Sequence, residues 1–170
     1  MRRPGRAPSG TGLPLQREPC LSAAGGGQTT SVIAELSREQ IDELLDEHVV
    51  GRIGCHVDGL TYVVPVIYAY DGECFYVASV EGQKVEMMRR NPEVCFEVDE
   101  YEAGSWRSAI AQGLYEELTG DEAEGAIALL AERFGRGGES SPRRRHAADG
   151  APTVCFRIRI EDVTGRAVRR

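Results

Sequence analysis

The stretch VVGRIGCHVDGLTYVVPVIYAYDGECFYVAS, residues 49–79, decides the fold. Three apolar, β-branched runs (49–58, 60–70 and 73–79) are joined at Asp58-Gly59 and Asp71-Gly72. Asp-Gly between such runs is a strong hairpin signal, because tight hairpin turns need backbone angles these residues tolerate. Three strands with two tight turns make an antiparallel meander.

Upstream, Ser37 and Gln40 have the spacing of a capping box. Ile41, Leu44 and Leu45 recur at helical spacing, with Asp42, Glu43, Asp46 and Glu47 on the other face, which predicts a helix over about 37–47. Downstream, residues 82–90 read as a helix stopped by Asn91-Pro92. Residues 93–101 alternate Val94, Phe96 and Val98 with polar neighbours, a half-buried strand. Residues 105–118 read as a long strand weakened at Gly113. Residues 121–134 are a helix with Ala126, Leu129, Leu130 and Phe134 as its stripe. Residues 153–163 are a last strand with Val154, Phe156, Ile158 and Ile160 inward. Six short antiparallel strands and a few helices predict a mainly β protein, a small barrel. Six strands barely close over a core, so a second copy covering one side, a homodimer, is expected.

Residues 1–31 and 136–152 are rich in Gly, Pro, Ser and Arg without apolar periodicity. They are expected to be a disordered extension and a flexible loop around one domain, 32–168. Twenty basic against 27 acidic residues give a net charge of −7. That balance argues against a nucleic-acid or anionic-membrane partner. No run is long and apolar enough for a membrane span or a secretory signal. The five cysteines, Cys20, Cys55, Cys74, Cys95 and Cys155, form no C-x-x-C pair; four lie in apolar runs, as in a reduced, cytoplasmic protein. The three histidines lack zinc spacing, so no metal site is expected. No G-x-S-x-G or Cys–His arrangement marks a nucleophile, and the catalytic residues stay unassigned. Glu97, Asp99, Glu100 and Glu102 read as a solvated face.

Three features carry chemistry. Ser79, Gly82, Gln83 and Lys84 lie where a strand passes into a helix. Free N–H groups of a first helical turn attract anions and a lysine adds a point charge, so these residues form a candidate phosphate pocket. Gly82 supplies backbone freedom in that reading. Lys84 reads equally well as a solvated helix residue, and Arg89 and Arg90 read better as one. Second, Pro65 interrupts the VVPVIY strand. Proline belongs at an edge or bulge, where backbone groups of Val64, Val66 and Ile67 would be left to meet a flat polar ring; an ordinary edge strand is the alternative. Third, Trp106, the only tryptophan, is either core or a lid over an aromatic ligand.

Together these features resemble the FMN-binding split barrels related to pyridoxamine phosphate oxidase, and most of all the subgroup of nitroimidazole-resistance proteins. The resemblance runs from about Leu36 to Gly165. It rests on VGRIGCHVDGLTYVVPVIYAYDG (50–72), FYVASVEGQKVEMMRRNPEVCFEVDE (75–100), WRSAIAQG (106–113) and FRIRIEDVTGR (156–166). It implies a six-stranded antiparallel split barrel, a homodimer with FMN in a groove between subunits. Val63, Val64, Pro65, Val66, Ile67 and Tyr68 would lie along the ring. Ser79, Gln83 and Lys84 would hold the phosphate, and Trp106, Arg107 and Ser108 would approach the flavin from the partner. The family's oxidase grips its phosphate with an Arg-Lys pair, whereas this chain has Gln83-Lys84, which keeps a hydrogen bond but loses a charge. The oxidase's carboxy-terminal Arg-x-His has no match in residues 157–170, so that activity is not expected. Some relatives take a deazaflavin or haem instead. The resemblance implies an FMN-dependent oxidoreductase passing electrons from a nicotinamide donor to a small molecule. The alternatives are a flavin carrier or sensor, or a dimeric module without cofactor.

Overall fold

Two-residue alternation builds the sheet and 3.6-residue periodicity closes its ends. The computed structural model describes residues 32–135 and 153–169; the expected extension 1–31 and loop 136–152 lie outside them. Eight strands and three helices follow in the order β1 (Val32–Glu35), α1 (Arg38–Glu47), β2 (Val50–Val57), β3 (Leu60–Ile67), β4 (Ala69–Tyr70), β5 (Cys74–Val80), α2 (Gln83–Arg90), β6 (Glu93–Glu102), β7 (Ser105–Glu117), α3 (Gly120–Gly135) and β8 (Thr153–Arg169). The six expected strands are present, and the count of six is corrected to eight. The run 60–70 breaks into β3 and β4, and β1 is added because its four residues pair with the end of β8. So short a strand carries too little alternation to be read locally.

All pairings are antiparallel, in the order β3-β2-β6-β7-β8-β5-β4, and β1 pairs β8. β8 is long enough to join β5 by its first half and β1 by its second, while β7 runs along both. The β7–β8 register slips between Gln112 and Gly113. A Cβ on Gly113 would stand 2.5 Å from the Arg159 carbonyl oxygen, so the glycine permits this close approach.

Inward residues of β2, β5, β6, β7 and β8 form one core: Ile53 and Cys55, Phe75 and Val77, Val94, Phe96 and Val98, Ala109 and Ala111, Phe156 and Ile158. At its centre Phe75 and Phe96 stack with centroids 4.0 Å apart, and Tyr68 stands edge-on to both. Phe96 fits because Gly51 faces it; a Cβ there would lie 2.4 Å from the ring. The capping box of Ser37 and Gln40 is formed, and α1 buries Ile41, Leu44 and Leu45. α2 packs on β2 through Val85, Met87 and Met88. α3 lays Ala126 against Leu118 and Cys155. Cys55, Cys74 and Cys155 are buried, Cys95 is half-buried, and all four are free thiols whose pKa values burial pushes up. Among the described residues no helix is long and apolar enough to cross a membrane.

Candidate functional site

β3 is an edge strand, bonded in the sheet to β2 alone. Pro65 sits there opposite Arg52. An edge tolerates a missing donor and leaves one row of backbone groups outside the ladder. Alternation and register then define one outward face. Val63, Pro65 and Ile67 of β3 stand beside Gly54, Arg52 and Val50 of β2. Next come Cys95, Glu97 and Asp99 of β6, then Gln112, Ile110 and Ser108 of β7. Val63 is 60% exposed, Val50 49%, Ile67 46% and Ile110 43%, so the face is rich in open apolar surface. Across it Arg52 bonds Glu97 at 2.9 Å and also engages Asp99. The acidic run is therefore not merely solvated. Glu100, facing the other way, pairs with Arg107 and lies 4.0 Å from His48.

The structure separates the predicted site residues into three groups. The first is the edge strand, where Val63, Pro65 and Ile67 point outward and Val64 and Val66 inward. Tyr68 leaves this group: its ring is wholly buried, its hydroxyl donates to the Leu45 carbonyl at 2.7 Å, and its N–H donates to Val49. The second group lies on β7. Trp106 and Ser108 alternate on the outward side, but Arg107 turns to α1, engaging Glu47 and Glu100, with Glu43 at 3.8 Å. β7 is three strand spacings from β3, roughly 14 Å, so one copy does not bring these two groups together.

The third group is the turn into α2. Ser79 is buried, its hydroxyl donating to the Val80 carbonyl at 3.0 Å. Gly82 is the N-cap, and its carbonyl accepts from Val85 and Glu86 at 2.9 and 3.1 Å. No side chain caps this helix, in contrast to α1. The N–H groups of the first turn, Gln83 and Lys84, are thus left to an outside acceptor. The expectation about Gly82 is corrected: its φ of 168° is ordinary extended backbone, and a Cβ there would meet nothing within 4 Å. The glycine gives open space rather than a special conformation.

Lys84 is the single lysine among 170 residues. It is half-buried, and burial lowers its pKa, partly opposed by the neighbouring Cys55 thiol. All eight described arginines between residues 38 and 159 pair with a carboxylate; Lys84 pairs with none among the described residues. Arg89 and Arg90, read from sequence as a solvated surface, are anchored. Arg89 bonds Glu117 at 2.8 Å and engages Glu81; Arg90 engages Asp58 in the β2–β3 turn. Asn91 Nδ2 donates to the His56 carbonyl at 2.9 Å, so the end of α2 is tied to that same hairpin. These partners are 8 to 35 residues away along the chain, and no local pattern announces them.

Two clefts among the described residues lie elsewhere. One of about 650 Å³ opens between α1 and the β6–β7 turn, lined by Glu43, Glu47, Glu100 and Trp106. Another, of about 900 Å³, lies between α1 and the middle of β8. Neither reaches Ser79, Gln83 or Lys84. The turn into α2 is thus a candidate on its donor set and not on volume.

Comparison with known proteins fits this architecture. The sequence profile of the family described as pyridoxamine 5'-phosphate oxidase matches residues 37–167. An uncharacterized protein of Rhizobium meliloti (strain 1021) is 29% identical over 140 residues, covering 78% of this chain and 93% of its own. A crystal structure of a FAD-binding protein from Mesorhizobium loti is 35% identical, with TM-score 0.67, covering 82% of this chain and 99% of that one. A Bacteroides thetaiotaomicron protein described as a candidate 5-nitroimidazole antibiotic resistance protein is 21% identical, with TM-score 0.64, covering 82% and 90%. This last likeness concerns the fold.

Proposed function

The chain belongs to the pyridoxamine 5'-phosphate oxidase family, and on that premise we propose that it binds a flavin, FMN, and works as an FMN-dependent oxidoreductase between a nicotinamide donor and a small molecule. The observation that carries this reading is the uncapped start of α2 beside the one unpaired, half-buried lysine. A phosphate monoester is the group such donors suit: a helix N-terminus favours negative charge, and an ammonium adds a charge-assisted bond. Gln83 N–H, Lys84 N–H and Lys84 Nζ would hold the phosphate, with the Ser79 hydroxyl turning from the Val80 carbonyl to join them. The flavin, when bound, supplies the redox chemistry; the protein orients it and sets its electrostatics.

Val63–Ile67 would lie along the ring, with the free backbone row of the edge strand meeting its polar rim. Trp106 and Ser108 would come from a second copy, because within one copy they lie about 14 Å from β3. The apolar residues left open on this face, Val50, Val63 and Ile67 on β2 and β3 and Ile110 on β7, support this homodimer, since exposed apolar side chains grouped around polar ones suit an interaction site. Residues 157–170 lack histidine, and we infer a substrate other than pyridoxamine phosphate. A second reading has FAD in the same groove, favoured by the FAD-binding description of the Mesorhizobium loti relative.

Mass spectrometry of the molecule released from purified protein separates FMN, FAD, deazaflavin and haem. Anaerobic bleaching of the yellow protein by NADH or NADPH is expected; a yellow protein that neither donor bleaches is a carrier. A colourless protein that takes up no flavin refutes the proposal.

A further inference from the structure

We propose that Arg89 is a positioning residue for the phosphate end of this site, holding the Glu81 carboxylate away from the start of α2 and neutralising it. The inference rests on the flavin reading above. Glu81 immediately precedes the N-cap Gly82. Chain geometry keeps its Cα within about 7 Å of that of Gln83. A free carboxylate there is an anion of the chain's own. It would repel an incoming phosphate, or swing in and take the open N–H groups of Gln83 and Lys84 itself.

The structure shows what that carboxylate pairs with. Arg89 Nε and Nη2 donate to the two oxygens of Glu117 at 2.8 and 2.9 Å, a fork-to-fork pair that fixes the guanidinium plane. Its Nη1 is then aimed at Glu81, which it engages. Glu117 is fixed in turn by Tyr115, whose hydroxyl donates to it at 2.9 Å. Tyr115 is buried and packs on Phe156 with centroids 5.1 Å apart. A line of contacts thus runs from the core to the turn before α2. The pairs are exposed, with the Arg89 side chain at 40%, so their share of global stability is small. Their consequence is local: where Glu81 sits, and whether its charge is cancelled. Lysine at position 89 would carry the charge without the three-way geometry.

The test is titration of the apo-protein with FMN and with riboflavin, which lacks the phosphate, followed by quenching of Trp106. Wild type, Arg89→Ala, Arg89→Lys, Glu81→Gln and the Arg89→Ala/Glu81→Gln double variant are compared. Wild type is expected to prefer FMN. Arg89→Ala is expected to weaken FMN about tenfold, as a like charge near a phosphate does, and to leave riboflavin unchanged. Arg89→Lys is expected to restore only part of the loss. Adding Glu81→Gln to Arg89→Ala is expected to restore FMN affinity. Equal loss of both flavins, no loss of FMN, or failure of Glu81→Gln to rescue would each overturn the proposal. If Arg89→Ala does not fold, Glu81→Gln alone decides: FMN affinity equal to or above wild type supports the role, and a fall overturns it. A wild type that binds FMN no tighter than riboflavin removes the phosphate reading itself, and Arg89's role with it.

Discussion

Lys84→Met should improve the empty protein and damage its binding. The side chain is half-buried and pairs with no carboxylate among the described residues, so its ammonium is partly desolvated and only partly compensated, by the Cys55 thiol. Methionine keeps the apolar stem and removes the charge. Relief of a half-desolvated polar group is worth about 1 kcal/mol, which raises Tm by roughly 2–4 °C in a chain of this size. The bound state responds oppositely. A charge-assisted hydrogen bond to phosphate contributes about 1.5–3 kcal/mol, so FMN affinity should fall roughly 10- to 100-fold, while riboflavin affinity stays unchanged. The pH dependence carries its own sign. Burial lowers the Lys84 pKa from 10.5 in the apo-protein. Its contribution to apo stability is therefore present above 10.5 and lost as pH falls through the depressed value. Phosphate binding restores the proton, so wild-type FMN affinity should weaken as pH rises through that same window, and the variant should show no such slope. Flavin titrations from pH 7 to 10 and thermal melts of both apo-proteins measure this. A variant that binds FMN like wild type, or an apo variant that melts several degrees lower, refutes the reasoning.

Ile67→Glu places a charge on the open sheet face without touching the core; light scattering should find wild-type dimers and variant monomers that have lost flavin, and a dimeric, flavin-bound variant would remove the proposed interface. Gly113→Ala must displace both the Arg159 carbonyl, 2.5 Å from the new Cβ, and the Ile158 methyl at 2.9 Å. Urea denaturation should show a loss of about 1–3 kcal/mol, and an unchanged midpoint would mean the bulge yields freely. Burial, foremost, pushes the phenols of Tyr68, Tyr70 and Tyr115 well above the ordinary tyrosine range, with Asp42 and Glu117 adding to the shift for Tyr70 and Tyr115. A raised folded pKa gives stability that is complete below about 10 and lost as pH rises above it; absorbance at 295 nm should therefore show these tyrosines ionising together with alkaline unfolding rather than before it.

What the sequence by itself determined was set by short-range physics. Asp58-Gly59 and Asp71-Gly72 fixed two hairpin turns, β2–β3 and β4–β5, although the expected three-strand meander is broken because β3 and β4 lie at opposite ends of the sheet; the Ser37–Gln40 box fixed the start of α1, and alternation in 93–101 and 153–160 assigned the buried faces. Each signal lies within a few residues, so it survives without knowledge of the rest of the chain. The turn at residues 79–84, where we propose the phosphate binds, could be singled out for the same reason, since such a candidate needs only a strand end, a helix start and a cation. Tertiary structure decided the rest. Sheet order made β3 an edge and set Trp106 and Ser108 on the same outward face as Val63 and Ile67, though two strands lie between. Only packing could sink Tyr68 into the core, turn Arg107 toward Glu47, and tie Arg89 to Glu117 and Arg90 to Asp58. Charged side chains find partners by proximity in space, and a periodic pattern records only which face a residue occupies. That is why Lys84, one cation among many in the sequence, stands out as unpaired among the described residues from 38 to 159 only once the eight arginines there have been matched.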